Sequence, residues 1–245
     1  MGKALLLSVA LTLLAAGCSA SAEARMARHL ERAEQQFSAG EFVPAAEEWG
    51  KAAEIAQSLG PRANATLGSA YAGIGWAALE TGQVDVAEGY FGRAVEAKRA
   101  AGETRTIEYG RIQGGLAYAL ERRGDIQGAV RWARGAVQTQ TESGGADRAA
   151  ALANAQHQLA RLLHASGQWA SSPEVQREAA RLYARVLSFQ RSVLGEDSPD
   201  IVPYLHELEG FLVDLHQSPE MHEVRVEAET ILQRAGFNFR SRFRD

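Results

Sequence analysis

The sequence has one cysteine, six prolines and few aromatic residues, which make up 7% of its 245 positions. A single cysteine excludes an internal disulfide and a zinc site built from thiolates. The formal net charge of −4 argues against a nucleic-acid-binding protein, because such domains normally carry a strong positive excess. No phosphate-binding loop or nucleophile motif is present, so we predict no catalytic site, no metal and no cofactor.

Small residues are what the chain has in abundance. Much of its apolar content, 46% of the sequence, is alanine, and 24 glycines stand against the 6 prolines. Alanine is the best helix former, whereas a glycine inside a helix costs roughly 1 kcal/mol relative to alanine. The glycines therefore predict helices that pack so closely that small residues are required at many positions.

The start of the chain has the pattern of a secretion signal. A positive charge at Lys3 precedes an apolar run over residues 4–16, which is too short to cross a bilayer core of roughly 30 Å as a helix. The run ends in Leu-Ala-Ala-Gly-Cys at residues 14–18, which resembles the lipobox of bacterial lipoproteins. That resemblance implies cleavage before Cys18, a lipid on its thiol and, from Ser19, sorting to the outer membrane.

A second cleavage pattern leaves an alternative open. The sequence Ala-Ser-Ala at residues 20–22 fits an ordinary secretion site, and cleavage there would release a soluble protein that begins at Glu23. We predict a signal peptide over residues 1–17, a tether over residues 18–25 and a lipid-anchored protein of the bacterial envelope. The alternative is a soluble periplasmic or secreted protein.

A repeat organises the rest of the chain. Gly40, Gly82, Gly124 and Gly167 follow one another at spacings of 42, 42 and 43 residues. Glycine adopts the left-handed conformation that ends many helices, so each one predicts the end of a first helix. Residues four and then three positions apart share a face of the second helix. In the first three repeats these residues are Ala45-Trp49-Ala52, Ala87-Phe91-Ala94 and Ala129-Ala133-Ala136.

The pattern resembles the tetratricopeptide repeat family. The usual first-helix positions of that family are occupied by Ile74-Gly75, Leu116-Ala117 and Leu159-Ala160. The longer period resembles the kinesin-light-chain variety, and residues 193–200 are similar to its linker between repeats. The resemblance implies an all-α, right-handed superhelical solenoid of about five antiparallel helix hairpins. The predicted repeats span residues 26–60, 66–102, 108–143, 150–194 and 198–235, and an aromatic and basic tail spans 236–245.

The last two repeats depart from the regular pattern. In the fourth, the second-helix residues are Ala179, Tyr183 and Val186, displaced by an insertion over about residues 171–176. In the fifth, the corresponding residues are Val224, Ala228 and Ile231. The fifth repeat is predicted to begin with Ser198 as a helix cap.

The first helices of such a solenoid line a concave surface that suits an extended peptide or a partner helix. The resemblance implies that this groove is lined by Trp76, Glu80, Arg111, Tyr118, Arg122, Asn154, His157, Arg161, His164 and His206. The middle of the lining would be cationic and aromatic, which predicts a partner with acidic groups, such as an acidic peptide or helix. Trp76 and Tyr118 have an alternative interpretation, in which they pack between neighbouring helices.

These features predict a membrane-anchored envelope protein that binds partner proteins as a scaffold or assembly factor and is not an enzyme. The alternative is a periplasmic small-ligand receptor or an enzyme with its site in the groove. His157 and His164 lie two helical turns apart, ~10.5 Å of rise, which disfavours a shared metal ion. Glu47 and Glu48 are predicted to be solvated on an exposed helix face.

Overall fold

The computed structural model describes residues 2–166, 172–195 and 198–216 and positions 226, 229, 230 and 233, with most side chains described from residue 20 onward. In the part of the chain so described, the protein consists of helices and short connections. It divides into two compact units, Met1–Thr104 and Arg105–Asp245.

The first unit contains four α-helices: α1 (Gly2–Ser38), α2 (Phe42–Leu59), α3 (Asn64–Glu80) and α4 (Val84–Ala100). A short 3-10 helix, Gly60–Ala63, connects α2 to α3. Each helix packs on the one before it. From Gly2 onward, the residues predicted as signal peptide and tether lie within the continuous helix α1.

The second unit contains α5 (Ile107–Arg123), α6 (Ile126–Glu142), α7 (Arg148–Ala165), α8 (Pro173–Leu194) and α9 (Val202–His216). Sequence neighbours again pack on each other, and α5 also contacts α7 directly. The first helices of consecutive hairpins therefore lie side by side in this unit. Among the described residues of the whole chain, no helix is long and apolar enough to cross a membrane.

The repeated glycines end the first helices as predicted. Gly40, Gly82 and Gly124 have positive φ angles of 79°, 75° and 89°. A side chain is strained in that conformation, whereas glycine adopts it freely. The prediction is confirmed for these three positions, and Gly167 lies outside the described residues.

Close packing between helices explains glycines in the middle of α3. A Cβ atom on Gly73 would lie 2.3 Å from the ring of Trp49, and one on Gly75 would lie 3.0 Å from the ring of Phe91. Both aromatic residues are buried between small residues of their own helices. The prediction that helix packing requires small residues is confirmed at these two positions.

The last two repeats differ in detail from the sequence pattern. Pro173 begins α8, so residues 173–176 of the predicted insertion form the first turn of that helix. Ser198 precedes a short 3-10 helix, Pro199–Ile201, that leads into α9, and its Oγ accepts a hydrogen bond from the backbone N–H of Asp200 at 3.3 Å. Two predictions fall outside the described residues. They are the tail over 236–245 and the second-helix residues of the fifth repeat, Val224, Ala228 and Ile231.

Candidate functional site

Helices α5, α7 and α9 are joined by ion pairs and hydrogen bonds across one face of the second unit. His157 on α7 contacts Glu207 on α9, and His164 contacts Asp214 with an Nε2–Oδ2 distance of 2.7 Å. Both contacts join residues 50 positions apart in the sequence, so α7 and α9 run in the same direction.

Arg161 links all three helices. Its Nη2 donates to Oε1 of Glu121 on α5 at 2.9 Å, and its Nε lies 4.0 Å from Oε1 of Glu207 on α9. The Arg161 and Glu207 side chains are each 37% exposed, whereas that of Glu121 is 17% exposed. The charged cluster is therefore reached from solvent on the side of α7 and α9.

A cleft of about 440 Å³ opens at this cluster. Its lining comes from the C-terminal ends of α5 and α7, from α9 and from one residue of α8. The lining residues are Glu121, Arg161, His164, Ala165, Tyr183, Glu207, Gly210 and Asp214.

Two groups in the cleft have shifted acidities. Burial acts to raise the pKa of Glu207, but the hydrogen bond with His157 and the nearby charges of His157, Arg161 and His164 outweigh it and lower that pKa. Burial, and then the negative charge of Glu207, raise the pKa of the Tyr183 hydroxyl, against the opposing effect of Arg161. At neutral pH the cleft therefore holds an ionised Glu207 beside a protonated Tyr183.

The structure brings three of the predicted groove residues together around these carboxylates: His157, Arg161 and His164. Tyr118 and Arg122 form a separate pair on α5, in which the guanidinium lies 5.9 Å from the centre of the Tyr118 ring. Arg111 on α5, Asn154 on α7 and His206 on α9 are exposed. The predicted positions thus lie on the three first helices but form more than one cluster.

The remaining predicted groove residues belong to the first unit. Trp76 is half-buried, and its ring packs edge-on against Phe91 with 5.0 Å between ring centres. Glu80 is exposed at the last position of α3. The packing interpretation accounts for Trp76, and Glu80 stays a prediction. The side chain of Cys18 lies outside the described residues.

The charge of the cleft differs from the cationic lining expected from the sequence. Three carboxylates, those of Glu121, Glu207 and Asp214, line it together with one guanidinium, that of Arg161. Each of these carboxylates lies beside a basic side chain, so the cleft holds acidic and basic groups in pairs. The expectation is wrong for this cleft because α5 and α9 contribute acidic residues that face the basic residues of α7.

The expectation for Glu48 is also wrong. Glu47 is exposed, but Glu48 on α2 is buried at 8% exposure and lies 2.6 Å from Nδ1 of His29 on α1. Hydrogen bonds from His29 and then from Lys51 lower the pKa of Glu48. The reason is that α1 packs on α2 and covers this position while supplying a polar partner.

The acidic and phenolic residues of the cleft were missed from the sequence. Tyr183 was assigned to helix packing, and its ring does contact Phe211, with 5.4 Å between centres. A signal for two of the others was present, since Glu207 and Asp214 repeat the seven-residue spacing of His157 and His164. Equal spacings on two parallel helices predict two cross-helix pairs.

No site for a metal is evident in the part of the chain that the structure describes. Groups of three or more histidine, cysteine or acidic residues arranged to hold a metal ion are absent from these residues. The polar groups of the cleft are instead arranged in acid–base pairs, which suits recognition of a polar or charged group.

Comparison with known proteins identifies the repeat. A tetratricopeptide repeat family model matches residues 152–200. A kinesin light chain-like protein of Podosopora anserina with nearly identical TPR-like repeats is 22% identical and gives a TM-score of 0.61, covering 87% of this chain and 98% of that one. The BtubC (BKLC) protein of P. vanneervenii is 18% identical with a TM-score of 0.58, covering 89% of this chain and 88% of that one.

Among curated proteins, none matches this sequence. The structural neighbours confirm the all-α fold class and the resemblance to the kinesin-light-chain variety of repeat. Residues 152–200 are therefore a tetratricopeptide repeat, and the chain has the fold of kinesin-light-chain-like tetratricopeptide repeat proteins.

Proposed function

We propose that this chain binds partner proteins through the faces of its first helices and serves as a scaffold or assembly factor rather than an enzyme. Tetratricopeptide-type arrays typically bind peptides or proteins on the surface that these helices form. The observation that carries the proposal is the polar face of α5, α7 and α9. These three helices line the cleft and also carry exposed polar side chains that a partner protein can contact.

The exposed part of this face favours a partner with acidic groups. Arg111 and Arg122 are exposed on α5, and Tyr118 lies beside Arg122 with its hydroxyl 3.4 Å from Nη1. Arginine and tyrosine are enriched among the residues that dominate the energetics of protein interfaces. An acidic peptide or helix laid along α5 would pair with these two arginines.

Charge reversal on α5 tests this proposal. The double variant Arg111→Glu, Arg122→Glu places repulsive charges opposite an acidic partner without removing a buried group. We expect it to weaken capture of the native partner at least tenfold, which corresponds to about 1.4 kcal/mol. The measurement is crosslinking in the native host, affinity capture and quantitative mass spectrometry of what each form retains.

The matched control reverses two exposed arginines on second helices, Arg131 on α6 and Arg185 on α8. This variant has the same net charge as the test variant, so a partner lost only from the α5 variant depends on the first-helix face. Trp76 is left intact because its packing against Phe91 would make a loss of binding ambiguous. Equal capture by both variants contradicts the assignment of this face.

A small-ligand receptor is the second candidate, and the cleft at Arg161 is the observation that favours it. Its volume of about 440 Å³ lies within the range of ligand pockets, about 300–1,000 Å³. A receptor of this kind would retain a small molecule through purification and capture no protein dependent on α5. Mass spectrometry of the small molecules released when the purified protein is denatured distinguishes the two functions. A retained small molecule supports the receptor, and its absence supports the protein-binding scaffold.

We further propose that the chain is anchored to a bacterial membrane, most simply the outer membrane, through a lipid on Cys18. The lipobox-like sequence at residues 14–18 and the serine at position 19 support this proposal. Several acyl chains together anchor far more firmly than one, since each buried methylene contributes ~0.8 kcal/mol.

The anchor predicts that a clickable fatty acid labels the protein in a bacterial host. Cys18→Ser is expected to abolish the label and to move the protein from the membrane fraction to the soluble fraction. The intact mass of the mature protein gives the alternative outcome, because an unmodified chain that begins at Glu23 would identify ordinary secretion. Ser21→Cys combined with Cys18→Ser is the control for labelling of a thiol as such, and we expect no label on it.

A further inference from the structure

The hydroxyl of Tyr183 is the unusual group in the cleft of the second unit. Tyr183 is 3% exposed, and its hydroxyl oxygen has no hydrogen-bond partner among the described residues. Buried hydroxyls are normally paired, since leaving one unpaired costs free energy. Tyr183 lines the cleft, and its buried, unpaired hydroxyl is therefore a polar group that an occupant of the cleft could satisfy.

Glu121 provides a second unpaired atom in the same cleft. Its Oε1 accepts a hydrogen bond from Arg161, whereas its Oε2 is buried and has no partner within the described part of the chain. A carboxylate oxygen only accepts hydrogen bonds. A group that donates a hydrogen bond is therefore what this oxygen atom would bind.

The charged groups of the cleft pair with one another. Arg161 is already held by Glu121 and by Glu207, and Asp214 pairs with His164. Arg161 and His164 are thus both held by carboxylates, whereas an entering group that carries N–H donors would meet the unpaired Oε2 of Glu121 in the same cleft. The Tyr183 hydroxyl suits either role, since a protonated phenol both donates and accepts.

We propose that this cleft binds a guanidinium or ammonium group, carried by a basic side chain of the partner protein. The group donates to Oε2 of Glu121 and to the oxygen of Tyr183, and the carboxylates of Glu207 and Asp214 compensate its charge. This inference rests on the proposed partner-binding function and adds a basic residue to the acidic groups expected opposite α5. The same chemistry in a free amine is the other source of the ligand.

Fluorine NMR of the fluorotyrosine-labelled full chain tests the site directly. The resonance of Tyr183 is assigned by its loss in Tyr183→Phe. We expect N-acetyl-arginine amide to shift this resonance saturably with millimolar affinity, and N-acetyl-citrulline amide, its uncharged counterpart, to bind at least tenfold more weakly. N-acetyl-glutamate amide is expected to leave the resonance unchanged.

Two conservative variants check the contacts. Glu121→Gln keeps an oxygen for Arg161 but removes the acceptor for a cation, and is expected to weaken binding of the arginine amide about tenfold. Asp147→Asn removes an exposed carboxylate of the same unit outside the cleft lining and is expected to change the affinity less than twofold. For both variants, which keep Tyr183, the affinity for the arginine amide is measured from the shift of the Tyr183 resonance.

The source of the cation follows from two further probes. Tighter binding of a short arginine-containing peptide than of the amide identifies a partner side chain, whereas tighter binding of agmatine identifies a free amine, and both support the site. Absence of a saturable shift with every cationic probe means that the cleft holds water only and overturns the inference. A large loss of thermal stability in Tyr183→Phe also overturns it, since the hydroxyl would then be structural. Neither result bears on partner capture through α5.

Discussion

Phe91→Ala is expected to lower the free energy of unfolding by about 3–5 kcal/mol, which is the usual cost of removing a buried aromatic side chain. Phe91 has 0% exposure and packs between α4 and α3. Its neighbours on α4, Ala87 and Ala94, are also fully buried and too small to fill the space it would leave. Urea denaturation followed by circular dichroism measures the change in the first unit.

Val86→Ala is the matched control on the same helix. Val86 is 42% exposed, so truncating it creates no cavity and is expected to change the free energy of unfolding by less than about 0.5 kcal/mol. A loss below about 1 kcal/mol in Phe91→Ala would show that α3 and α4 collapse onto the vacated space. Such a result would contradict the rigid packing inferred for this hairpin.

A double-mutant cycle with Gly75 extends the same prediction. A Cβ on Gly75 would lie 3.0 Å from the Phe91 ring, so Gly75→Ala gains helix propensity but crowds that ring. In the Phe91→Ala background the crowding is gone, and the alanine is expected to stabilise by about 1 kcal/mol. Additive effects of the two substitutions would mean that the two positions do not contact each other.

Local rules explain why much of the fold is predictable from the sequence. The glycines that end first helices were identified because a positive φ is a backbone property that one residue type meets freely, as at Gly82 and Gly124. The increments of four and three identified the buried face of the second helix in the first four repeats for a similar reason, since they reflect helical geometry alone. Both predictions can be made without knowing which helices pack against each other.

The cleft was not predictable in the same way, because its charges come from different repeats. Arg161 was placed on the groove face by its position in one helix, but its counter-ions Glu121 and Glu207 lie 40 and 46 residues away on two other helices. The burial of Glu48 under α1 was not predicted either, because its partner His29 belongs to a different helix. Position within a repeat predicts the direction of a side chain, whereas its partner depends on the neighbouring repeat.

Gly73→Ala is expected to lower the free energy of unfolding by about 2 kcal/mol, although alanine is the better helix former by about 1 kcal/mol. A Cβ at this position would lie 2.3 Å from two atoms of the Trp49 indole. Trp49 is 7% exposed and also packs against Phe37, with 5.5 Å between ring centres, so its ring has little room to move. Overpacking of this kind costs about 1–3 kcal/mol and occasionally more, which exceeds the helix-propensity gain.

Gly89→Ala on α4 is the matched control, and its expected change in the free energy of unfolding has the opposite sign. The comparison separates the cost of crowding from the gain in helix propensity. A Cβ on Gly89 would meet nothing within 4 Å, and we expect the substitution to raise the free energy of unfolding by about 1 kcal/mol. Denaturation of both variants in parallel therefore gives a difference of about 3 kcal/mol between two identical chemical changes. Trp49→Leu shortens the crowding side chain, and in that background Gly73→Ala is expected to lose most of its cost. If Gly73→Ala behaves like Gly89→Ala in the native sequence, then α2 and α3 are not packed closely enough to require a glycine at their contact.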